Sequence, residues 1–142
     1  MKTMIRNTFV LASAILCFAG SRLSAQISVD IVASPTVPAS SLDKAALKDI
    51  LLGKTAYWNG GQSVTIVVLT GKTDAALEDI TGMSAGSFKT YWQRLTFSGR
   101  GKEPKEADSL EKLASLLSDN KGAVAMVPAG TAVAGVKKIE LK

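Results

Sequence analysis

The sequence predicts an α/β fold, a small mixed and partly parallel sheet covered by helices. Three observations carry that expectation. Residues 64–69 (VTIVVL) form a nearly unbroken apolar run, the pattern of a strand covered on both faces. Phe88, Tyr91, Trp92 and Leu95 recur at helical spacing, and so do Leu110, Leu113, Leu116 and Leu117. Along the chain the elements follow the order β-α-β-α-α-α-β-β, which interleaves strands with helices.

The chain starts with a targeting pattern. Lys2 and Arg6 precede an uncharged apolar run from Phe9 to Ala19, and Leu23-Ser24-Ala25 offers a cleavage site. That run is shorter than the roughly 20 residues a membrane-spanning helix needs. Residues 1–25 are therefore expected to be a secretory signal peptide, residues 26–142 a single exported domain with no membrane span. Ile27 to Ala33 then reads as a buried strand, stopped by SPTVP at residues 34–38. Ser40 and Asp43 form a capping-box pattern ahead of a helix whose Leu47, Ile50 and Leu51 share a face, and Gly53 stops it.

After Tyr57-Trp58-Asn59-Gly60-Gly61 comes the VTIVVL strand, then a short helix over residues 74–80 broken by Gly82. The aromatic helix starts near Ser84, and residues 97–105 read as loop. Asp108 and Glu111 cap the leucine-striped helix. Residues 123–127 are a buried strand of small and branched side chains, and residues 136–141 a last strand whose lysines suggest an edge.

Composition excludes much chemistry. There is no histidine, and the one cysteine, Cys17, lies in the signal peptide. Ser-His and Cys-His nucleophile pairs are thus absent, as are disulfides and the usual zinc ligands in the mature domain. No catalytic residue, metal or cofactor is expected. Three of the 17 basic residues leave with the signal peptide, which lowers the net charge from +5 to +2 and removes the case for nucleic acid.

Two loops have the makings of an anion site. Thr70, Gly71, Lys72 and Thr73 lie between a strand and a helix start, where backbone amides carry partial positive charge. The bland reading is a helix cap by Thr73 and a solvated Lys72. Ser98, Gly99, Arg100, Gly101 and Lys102 could form a concave nest of amides reinforced by two cations, or simply a solvated turn. The aromatic set of Tyr57, Trp58, Phe88, Tyr91, Trp92 and Phe97 reads as core rather than as a stacking platform.

LDKAALKDILLGKTAYW at residues 42–58, YWQRLTFSGRGKEP at 91–104 and GAVAMVP at 122–128 resemble the PBP-like domain of phosphate ABC-transporter substrate-binding proteins. The resemblance implies one lobe of a type II periplasmic-binding-protein fold. In the full proteins two lobes clamp the anion, so the other half of the clamp would be missing, or supplied by another copy or by another protein. The resemblance also implies phosphate or another small oxyanion as ligand, and ABC transporter components or an envelope protein as partner. The sequence departs from the family at the loop after VTIVVL: phosphate binders carry an Arg and a Ser-Gly-Thr there, and this chain has Thr70 to Thr73 followed by Asp74. The alternative is a structural or protein-interaction module that keeps the lobe without solute binding.

Overall fold

A computed structural model describes residues 28–142; the expected signal peptide lies outside the described residues. The elements are β1 (Val29–Ala33), β2 (Ser41–Leu42), α1 (Lys44–Leu51), β3 (Thr65–Leu69), α2 (Asp74–Thr81), α3 (Ala85–Phe97), β4 (Lys105–Ala107), α4 (Leu110–Asp119), β5 (Ala123–Pro128) and β6 (Lys137–Leu141). They make one six-stranded sheet in the order β2-β6-β1-β5-β3-β4. β3 runs parallel to β4 and β5, and β2 parallel to β6. β1 is antiparallel to both its neighbours, so the sheet is mixed, as expected.

The period-two alternation of strand side chains divides the core into two layers. Ile31, Ile66, Val124, Met126 and Ile139 face α1, α2 and α3, which contribute Leu47, Ile50, Leu51, Leu77, Ile80, Phe88 and Trp92. Val32, Val67, Leu69, Ala123, Ala125 and Val127 face Leu113 and Leu117 of α4. Both faces of β3 and β5 are covered, which is why their sequences show runs rather than alternation.

Several boundaries differ from the sequence reading. Asp43, not Ser40, caps α1: its Oδ1 accepts from the Ala46 amide at 2.6 Å. The Ser40 carbonyl instead accepts from the Glu140 amide, beside the two-residue β2. Ser109 rather than Asp108 caps α4, its Oγ accepting from the Lys112 amide. Lys105, read as the end of the 97–105 loop, and the next two residues, which the sequence reading assigns to no element, form β4, paired Val67 to Lys105 and Leu69 to Ala107. β6 is not an edge, since β2 covers it.

Of the aromatics, Trp58, Phe88 and Trp92 are buried, but Tyr57 and Phe97 are 65% and 97% exposed. Trp92 closes the gap between α3 and the end of α1. Its Nε1 donates to the Leu51 carbonyl at 2.9 Å, and Tyr91 Oη donates to the Leu52 carbonyl at 2.6 Å. Those carbonyls belong to the last turn of α1, where intrahelical partners have run out. Gly53 and Gly101 lie against the indole: a methyl added to either would come within 2.7 Å and 2.9 Å of the ring.

Candidate functional site

The two predicted loops occupy opposite ends of the sheet. Thr70, Gly71, Lys72 and Thr73 follow β3 and lie at the carboxyl edge of the parallel strands. Gly99, Arg100, Gly101 and Lys102 precede β4, which runs parallel to β3, and so lie at the amino edge. The fold does not bring them into one site.

At the carboxyl edge the 70–73 loop satisfies its own donors. The Thr70 amide donates to the Ala107 carbonyl at 2.9 Å, and the Lys72 amide to Leu69 at 3.4 Å. Asp74 Oδ1 accepts from the Gly71 amide at 3.3 Å, where an anion would otherwise stand. Thr73 is buried, and its hydroxyl donates to the Leu69 carbonyl instead of capping α2. Thr70 and Lys72 remain exposed.

At the amino edge two amides of the 98–102 loop are already engaged, which favours the turn over the nest. The Gly99 amide donates to Thr96 and the Arg100 amide to Leu95, the paired bonds of a Schellman helix end, with Gly99 at φ 73°. These two amides face the last carbonyls of α3 and are not available to a ligand. Arg100 and Lys102 are exposed. They line a groove of about 540 Å³ with Lys105, Glu103, Tyr57, Ser63, Thr65 and Asn120, over the indole of Trp92.

The start of α3 was missed as a site from sequence. Ser84 caps this helix, its Oγ accepting from the Ser87 amide at 3.3 Å and donating to Ser87 Oγ at 3.0 Å. The first amides of a helix have no intrahelical acceptor and carry the positive end of its dipole. Ala85 and Gly86 there share a pocket of about 260 Å³ with Thr70, Asp74, Lys89, Glu103 and Glu106. Val68, Leu77, Phe88 and Trp92 form its apolar lining. Lys89 reaches across the pocket to Glu106 Oε1 at 3.2 Å, with both side chains about half exposed. The available signal was the run Ser84-Ala85-Gly86-Ser87, small residues that let a ligand approach the helix start; it reads equally as an ordinary cap. Among the described residues, no acidic, His or Cys group is arranged to hold a metal ion.

No protein-family model matches the sequence, and no curated protein sequence does. Solved structures do match in fold. An ABC-type phosphate transport receptor from Vibrio cholerae aligns with a TM-score of 0.60 at 18% identity, over 80% of this chain and 45% of its own. A putative phosphate ABC transporter substrate-binding protein with bound phosphate, from Clostridium perfringens, aligns with a TM-score of 0.60 at 18% identity, over 81% and 46%. PstS from Borrelia burgdorferi follows at 0.54 and 11%, over 81% and 47%. This chain thus spans somewhat under half the length of these proteins and has the fold of a single lobe of them.

Proposed function

We propose, from the lobe it shares with phosphate-transport binding proteins, that this chain is an exported, non-enzymatic solute-binding domain. Its ligand face is the carboxyl edge of the sheet. The observation that carries the reading is the convergence of the α3 start, Thr70 and Lys89 on one small pocket that runs along the β4 side of the sheet, from Glu103 and Glu106 to Thr70 at the carboxyl end of β3. Crevices at that edge are where open α/β sheets take ligands. Helix-start amides, a hydroxyl and an ammonium supply donors for an oxyanion.

Asp74, Glu103 and Glu106 line the same pocket and, when ionised, can only accept. They repel a fully deprotonated oxyanion and favour one that brings its own O–H. Hydrogen phosphate keeps such a proton near neutral pH; sulfate does not. Phosphate over sulfate is therefore the selectivity this pocket supports.

Calorimetric titration at low ionic strength tests the assignment. Saturable heat with phosphate and none with sulfate is expected. Lys89→Ala should abolish the phosphate heat, while Lys72→Ala, outside the pocket, should leave it unchanged. A flat trace on folded protein would sink the oxyanion reading. Export is tested by sequencing the mature N-terminus, expected after Ala25. Among the described residues no helix is long and apolar enough to cross a membrane. A second reading, a protein-interaction module, is favoured by the exposed Tyr57 and Phe97.

A further inference from the structure

We infer that the amino edge of the sheet is a docking face for an acidic, extended polypeptide segment of a partner protein. It adjoins the proposed oxyanion pocket, with Trp92 and Glu103 lining both, but the argument for it does not rest on that reading.

Charge is the first support. Arg100, Lys102 and Lys105 line the groove against a single carboxylate, Glu103. None of these three cations forms an ion pair among the described residues, so the groove carries their charge unneutralised. The end of α3 accounts for one nearby cation through its dipole; it does not account for three. Unneutralised cations beside a concave wall concentrate field lines and attract an acidic partner.

Exposed apolar surface is the second. Three large hydrophobic side chains are exposed among the described residues, Tyr57, Phe97 and Leu110. Tyr57 lines the groove, and Phe97, at 97% exposure, ends α3 two residues before Gly99. Aromatic anchors with arginine beside them are the composition of binding hot spots.

Shape chooses among acidic partners. The groove is concave, and Ser63, Thr65 and Asn120 place hydrogen-bonding side chains along it. An extended chain can reach those groups while its carboxylates meet the cations and an apolar side chain covers Tyr57. A flat lipid surface cannot reach the groove walls.

Amide chemical-shift titration of the whole purified protein tests this. The probe is a short peptide of glutamate and aspartate interspersed with leucine; a lysine–leucine peptide and phosphatidylglycerol-containing vesicles serve as controls. Saturable shifts are expected at Gly99, Arg100, Gly101 and the Trp92 indole N–H, with the acidic peptide alone. Reversing both exposed charges, Arg100→Glu with Lys102→Glu, should weaken binding by roughly tenfold or more and abolish the loss of affinity with added salt. Phe97→Ser should weaken it with the salt dependence intact. Circular dichroism confirms that each variant is folded. Equal response to both peptides, no response, or an affinity unmoved by charge reversal would overturn the inference. So would vesicle binding without peptide binding, which would assign the face to a membrane. Self-association lost on charge reversal would assign it to a second copy, and would overturn it too.

Discussion

Replacing Gly53 with alanine should destabilise the protein much more than the same change at Gly82. The pair forms a controlled comparison. Both glycines end helices in the left-handed region, at φ 74° and 75°. An alanine in that conformation costs about 1–2 kcal/mol. At Gly82 nothing lies within 4 Å of the added methyl, so that is the whole expected cost. At Gly53 the methyl would sit 2.7 Å from Trp92 Cη2 and 3.2 Å from Cζ2. The indole cannot retreat easily. Its Nε1 is tied to the Leu51 carbonyl, Gly101 blocks another side, and Phe88 and Tyr91 meet it edge-on at 6.4 and 6.1 Å. Overpacking of this kind adds about 1–3 kcal/mol. Urea unfolding followed by tryptophan fluorescence would measure both variants, provided the denaturant slope is unchanged. Equal losses for the two would refute the claim that Trp92 is wedged in place.

Two further outcomes follow from single side chains. The Asp30 carboxylate is held below its ordinary 3.8 by the Gly130 amide first and by Lys138 second, so its ionised form stabilises the fold. That stabilisation is complete above pH 3.8 and is lost as pH falls through the lower folded value. The stability difference between the parent and Asp30→Asn should therefore be constant near neutrality and shrink in acid; a difference independent of pH would contradict it. Tyr91→Phe removes the 2.6 Å bond to the Leu52 carbonyl without changing the ring, and should cost about 0.5–1.5 kcal/mol in the same urea assay while leaving phosphate heat unaltered.

Local pattern was enough for the elements that bury themselves. β3 and β5 are apolar on both faces, and the α3 and α4 stripes deliver Phe88, Trp92, Leu113 and Leu117 to the core. It failed where pairing makes the element. Lys105-Glu106-Ala107 has no strand pattern and becomes β4 only because β3 lies beside it. Ser41-Leu42 becomes β2 through β6 in the same way, and that covering takes β6 off the edge. Tyr57 and Phe97 were misread as core because an aromatic residue near a turn or helix end carries no signal of which way it faces. The candidate site was half legible. Thr70 stood out as a strand-to-helix loop residue, but which loops share an edge depends on strand order, and no spacing along the chain encodes that. Asp74 looked like a mere departure from a phosphate-binding loop; its carboxylate proves to occupy the Gly71 amide.

The lone antiparallel strand also sets when the molecule can be completed. β1 is the first strand in the described chain, yet both its neighbours are the last two: Ile31 pairs with Met126 on one side and with Ile139 on the other. Bringing together chain segments so far apart costs on the order of 4 kcal/mol of loop-closure entropy before any contact repays it. Topologies dominated by such distant pairings fold slowly. A nascent chain can assemble β3 with β4 and their helices, but the middle of the sheet stays open until β6 has been synthesised. The unfinished protein is thereby kept from locking into its native form until β5 and β6 have both emerged, and until then β1 stays unmatched.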